Sequence, residues 1–88
     1  MLNKTVKDYM EMKTEYSTFI PVSSRAVGKT IQDIEKYGVK VVSFYWTPAT
    51  FDQKFKPKPN LELSAGMGIQ VEGQRKQIDK MARDLLFP

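Results

Sequence analysis

"VKVVSFYW", residues Val39–Trp46, is the stretch on which the fold turns. Its apolar residues fall on both alternating faces, Val39, Val41 and Tyr45 against Val42, Phe44 and Trp46, so neither face can be left to water. The pattern predicts a central strand, or one that meets a second copy of the chain. Just before it, "SSRAVGKTIQDIEKYG" (23–38) has a different period. There Val27, Ile31, Ile34 and Tyr37 recur every three or four residues, Ser23 or Ser24 can cap the start, and Gly38 stands where a left-handed residue closes a helix. Further upstream, "STFIPVS" is β-branched and aromatic, which predicts a first strand at Ser17–Ser23, with Pro21 marking an edge or a bulge. Before that, Leu2, Val6, Tyr9 and Met10 have helical spacing and suggest a short helix or arm.

Downstream, the pattern weakens from Thr47 to Lys56, and "FKPKP" carries alternating lysines that suit an exposed edge or a long, mobile hairpin connection. "GIQVEG" then alternates, Ile69 and Val71 inward against Gln70 and Glu72 outward, and predicts a strand lying between turn glycines. The closing "QRKQIDKMARDLLF" places Ile78, Met81, Ala82 and Leu85 on one helical face, with Arg75, Asp79 and Arg83 at favourable four-residue spacings. The sum is an α+β fold: a two-layer sandwich, its sheet mostly antiparallel, with the helices on one face. Residues 1–15 are expected to form the arm and 16–88 the domain.

Eighty-eight residues allow one small core, and a chain this short gains from a partner subunit. Without cysteine or histidine it lacks thiol nucleophiles, the commonest general base and the usual zinc ligands, so neither catalytic residues nor a metal site nor a cofactor is expected. Glu62, Glu72, Asp79 and Asp84 form no pattern of paired acid and base. Apolar runs fall far short of the ~20 residues of a membrane span, and no signal-like block follows the N-terminus, so a cytosolic chain is expected. The net charge of +4 comes entirely from residues 16–60, where seven basic residues face three acidic ones. A localised basic surface follows.

Two phosphate cradles fail on inspection. "SSRAVGKT" has Ser23 where a P-loop needs its first glycine, and the strand after it carries no acidic residue for magnesium. Gly66 and Gly68 lack the third glycine of the dinucleotide fingerprint, because Val71 holds that place. Lys54, Lys56 and Lys58 near Trp46, Phe51 and Phe55 support an alternative reading, a small basic nucleic-acid-binding domain in which bases stack on rings.

Taken together, "VGKTIQDIEKYGVKVVSFYW" and "PKPNLELSAGMGIQVEG" resemble the TrkA-C domain, the C-terminal domain of RCK modules, over about Tyr16 to Leu85. The resemblance rests on the glycine-led helix, the strand after Gly38, Pro57-x-Pro59-Asn60, and the glycine–strand–glycine–helix unit from Gly66. It implies a non-enzymatic, ligand-sensing regulatory domain of potassium and other cation transport. Such a domain would be cytoplasmic, held at the inner face of the membrane through a transporter or channel subunit and not itself inserted in the bilayer. It also implies a homodimer with a small anionic or nucleotide ligand near the dimer interface. On this chain the ligand-binding positions would be Lys40, Val41, Val42, Pro59 and Asn60, and the interface Val42, Phe44 and Trp46. The turn Glu35-Lys36-Tyr37-Gly38 and Lys40 before Val41 and Val42 depart from the arginine and asparagine of members that bind cyclic di-AMP. Met67 replaces the usual aspartate after the hairpin glycine, trading a turn hydrogen bond for an apolar contact.

Overall fold

The computed structural model describes residues 5–88. Helix α1 (Val6–Glu11) is followed by strand β1 (Lys13–Phe19), helix α2 (Ile31–Glu35), strand β2 (Lys40–Tyr45), a 3₁₀ turn at Pro48–Thr50, strand β3 (Gly68–Gln74) and helix α3 (Arg75–Leu85). The three strands form one antiparallel sheet in the order β1-β3-β2. Side chains of α2 and α3 bury Ile31, Ile34, Ile78, Met81 and Leu85 against Val41, Phe44, Ile69 and Val71 of the sheet. This is the two-layer α+β sandwich expected from the periodicities.

The middle of the sheet belongs to β3, and β2 lies at its rim, so the expectation of a central strand at Val39–Trp46 is corrected. A β-bulge explains why that stretch reads as apolar on both faces. Val41 pairs with Val71 and Ser43 with Gln70, which leaves Val42 as an extra residue. The bulge restarts the alternation. Val41 and Phe44, three residues apart, therefore both face the helices, with 4% and 5% of their surface exposed. Ser43 faces the other way and donates from Oγ to Gln70 Oε1 at 3.2 Å. On that outer face the ring of Tyr45 lies where a β-carbon at Gly68 would stand, so glycine is required there for close approach.

The first strand begins earlier than Ser17 and stops at Phe19, before Pro21. β3 continues to Gln74 and offers Lys13–Ser17 partners from Gln74 to Gln70. The helix expected over 23–38 is reduced to Ile31–Glu35. Gly28 takes φ +87°, outside helical space, and the backbone of 28–31 bonds sideways to Leu61 and Leu63: Gly28 N–H to Leu63 C=O at 2.9 Å, Leu63 N–H to Lys29 C=O at 2.7 Å and Ile31 N–H to Leu61 C=O at 3.0 Å. A backbone committed to that ladder cannot also close helical turns.

The helix cap is Thr30, not Ser23 or Ser24. Thr30 Oγ1 accepts from Asp33 N–H at 3.3 Å and Asp33 Oδ2 accepts from Thr30 N–H at 3.0 Å, a capping box. That backbone N–H, followed by the Lys36 ammonium, holds the Asp33 carboxyl below its usual value. Ser24 works elsewhere. Buried beside the end of α3, its hydroxyl accepts from Ala26 N–H at 3.0 Å and donates to Leu85 C=O at 2.6 Å. There it satisfies a carbonyl at the end of α3, beside Leu86 at φ 60°.

Gly38 and Gly66 have φ of +86° and +90° and act as turn glycines as expected, whereas Gly73 lies inside β3 opposite Thr14. Met67 is buried at 1% exposure, and its sulfur accepts from Ser64 N–H at 3.2 Å, so the apolar contact is made and the turn keeps a partner. α1 starts on a Thr5–Asp8 capping box and packs on α3, where Tyr9 lies 5.4 Å from the Arg75 guanidinium. Of the two partners spaced for Asp79, Arg75 closes the pair at 3.3 Å. The Leu2 part of the arm pattern lies outside the described residues.

Candidate ligand groove

The outer edge of β2 faces the chain segment 54–59, and a groove of about 470 Å³ runs between them. Lys40, Val41 and Val42 contribute one wall, Lys54, Phe55 and Lys56 stand opposite with Pro57 and Pro59, and Ile31 and Glu35 line the end under α2. The second wall is placed by two backbone hydrogen bonds. Phe44 N–H reaches Phe55 C=O at 3.0 Å, and Phe55 N–H returns to Phe44 C=O at 2.8 Å. Pro57 and Pro59 then keep the following backbone extended and unable to continue the ladder.

At the α2 end, Glu35 accepts from Val41 N–H at 3.0 Å. This N–H is one of the donors β2 leaves unpaired along its outer edge, and the carboxylate that ends α2 supplies its acceptor. Replacing Glu35 with Ala should cost about 1–2 kcal/mol in urea unfolding, because a half-buried donor loses its partner, while Glu35→Gln, which keeps an oxygen acceptor, should cost less than half of that. Equal losses in both variants would mean that the charge and not the hydrogen bond matters.

Lys40, Lys54 and Lys56 set three positive charges against the single carboxylate of Glu35, which is already occupied by a backbone donor. The lining can therefore offer ammonium donors to an anion above an apolar floor of Ile31 and Val41. Of the positions singled out from the sequence, Lys40, Val41, Val42 and Pro59 come together here. Asn60 lies in the adjoining hollow with Lys58 and Trp46. Glu35, Lys54 and Lys56 were not among the ligand positions; the alternation of lysine with proline in "KFKPKP" was the available signal, and nothing in the sequence places Glu35 at a strand edge.

The three residues assigned to the dimer interface have different surroundings. Val42 and Trp46 are 39% and 47% exposed, whereas Phe44 is buried within its own chain. The Phe44 ring makes an edge contact with Trp46, centroids 5.0 Å apart, and a tilted contact with Phe55 at 5.6 Å. Between the end of α2 and α3, Tyr37 donates to Asp84 Oδ2 at 3.3 Å. Burial, then the neighbouring Asp84 carboxylate, pushes the Tyr37 phenol above its ordinary value of 10.0.

A three-stranded antiparallel sheet with its helices on one face, and a cationic groove along its edge strand, defines a small α+β domain, in which no helix of the described residues is long and apolar enough to cross a membrane. The model of the TrkA-C domain matches residues 18–86, and the chain belongs to that family. TrkA-C domains are regulatory domains associated with cation transport and are not a catalytic family. No protein with a curated description matches the chain.

Proposed function

We propose that this domain is a dimeric, cytoplasmic sensor of a small anionic ligand, a phosphate-bearing or nucleotide-like molecule, and that it regulates potassium transport through a transporter or channel subunit of the membrane. Residues 16–88 would carry the sensor and residues 1–15 the arm, whose last three residues, Lys13–Glu15, pair into the sheet as the start of β1. The observation that carries this reading is the convergence of Lys40, Lys54 and Lys56 on one groove of about 470 Å³ with an apolar floor. Val42 and Trp46, exposed beside that groove, offer a second copy a place to contact the ligand's surroundings, with Phe44 supporting Trp46 from beneath. Binding that orders the 54–59 wall against β2 would change the surface shown to the transport subunit, which is how differential affinity for two states becomes regulation.

The test is a thermal-shift screen of nucleotides and inorganic anions, with light scattering to count copies. A ligand at about a hundred times its Kd adds about 2.7 kcal/mol to the folded state, which in a domain of this size raises the melting temperature by roughly 10 °C or more. The double variant Lys40→Ala, Lys56→Ala should lose most of that shift and keep its own melting temperature within a few degrees. No stabiliser among the anions, or a shift untouched by the double variant, sinks the reading.

A further inference from the structure

The sheet has two outer edges, and the chain treats them differently. On the β2 side the edge is interrupted by the bulge at Val42, taken up at Val41 by the Glu35 carboxylate and at Phe44 by Phe55, and followed by two prolines. The β1 side has none of these devices. Its seven residues, Lys13–Phe19, run in unbroken register along β3, without proline or bulge, and no other described strand pairs with them. Exposed and half-buried side chains simply alternate. A strand whose outer N–H and C=O groups meet no other described strand is a template for another strand.

From this we infer that β1 of one copy pairs with β1 of a second, antiparallel about a two-fold axis at Tyr16, to make one six-stranded sheet. The sequence of the strand chooses both occupant and register. Centred on Tyr16, all seven residues pair: Thr14 faces Thr18 of the second copy, Tyr16 faces Tyr16, Glu15 faces Ser17 and Lys13 faces Phe19. Threonine pairs stabilise neighbouring strands, and no like charges meet. Centring on Glu15 would set two carboxylates against each other, and centring on Ser17 would carry the ladder into Pro21. The same axis brings the exposed Met12 of one copy beside the exposed Phe19 end of the other. The contact is isologous, the same strand on both copies, and both helical layers stay on one side of the joined sheet.

This seam rests on the reading that copies associate, but it is separate from the groove and from Val42 and Trp46. Ser17 is exposed on the outer face, so a charge there disturbs little in its own chain. Ser17→Glu would set a new carboxylate against Glu15 of the other copy twice across the axis, and Ser17→Lys would put opposite charges there twice. At a concentration near the dissociation constant of the seam, light scattering should give the full chain a greater average mass than Ser17→Glu and a smaller one than Ser17→Lys. Dissociation should become about tenfold easier in Ser17→Glu and about tenfold harder in Ser17→Lys. Adding Glu15→Lys to Ser17→Glu should restore the mass. Amides of residues 13–19 should exchange more slowly with rising concentration in the unaltered chain and not in Ser17→Glu. Equal masses for all variants, or weakening by both charges alike, would overturn the seam, as would a mass that rises only on adding a foreign peptide. Anion thermal shifts on the same variants keep the two ideas apart, since losing the seam leaves the groove's response in place.

Discussion

Met81→Ala is expected to lower the unfolding free energy by about 3 kcal/mol, a loss among the largest for a single truncation in this domain. Met81 is fully buried at the middle of α3, between Ile78 and Leu85, where the helix meets the sheet. Alanine there removes three heavy atoms and leaves a cavity that a close-packed interior fills only in part. For a domain of this length, the loss corresponds to a fall in melting temperature of roughly 15 °C. Met81→Leu, nearly equal in volume, should cost less than about 1.5 kcal/mol. Urea unfolding with an unchanged m-value would confirm that the loss lies in packing. A cost below about 0.5 kcal/mol for the alanine variant would mean that α3 does not sit on the sheet as described.

Ser24→Ala is expected to cost about 2 kcal/mol, a large loss for a single oxygen atom. The residue is 6% exposed and its hydroxyl serves two backbone groups, the Ala26 N–H at 3.0 Å and the Leu85 C=O at 2.6 Å. Removing one small oxygen leaves the Ala26 N–H without its partner, and an unmet buried donor costs far more than its hydrogen bond adds. Leu85 C=O keeps the Arg25 N–H at 3.0 Å, which limits the loss. The effect should appear as faster hydrogen exchange at residues 24–26 and at the end of α3 before it appears in global unfolding. Ser24→Thr should recover part of the stability if its methyl group fits. A neutral Ser24→Ala would mean that a water replaces the hydroxyl at little cost.

The fold class was legible because Ile69 and Val71 alternate with Gln70 and Glu72, and because Ile78, Met81 and Leu85 keep helical spacing; both patterns survive unchanged in β3 and α3. The place of β2 was not legible. Strict alternation cannot show a bulge, and a single extra residue at Val42 turns a two-sided apolar strand into a one-sided strand at the rim. The helix at 23–38 was overread for a related reason. Val27 keeps the period, but Gly28 takes a left-handed φ and the residues after it pair with Leu61 and Leu63, far along the chain. Buried Leu63 sits in a segment without local periodicity, so only the tertiary ladder reveals it. In the groove, Lys40, Val41, Val42 and Pro59 were found through family resemblance, while Lys54 and Lys56 join them only once the Phe44–Phe55 bridge brings the 54–59 segment beside β2, and Glu35 joins through its hydrogen bond to Val41.

That bridge also makes the intervening chain a handle. Two hydrogen bonds clamp its base, so what lies between Trp46 and Lys54 is closed off from the groove mechanically, and adding residues at its exposed tip, near Asp52 and Gln53, adds only loop entropy, about 0.6 kcal/mol for each doubling of length. An epitope, a fluorophore-binding tag or an engineered insertion could be carried there while the two walls keep their spacing.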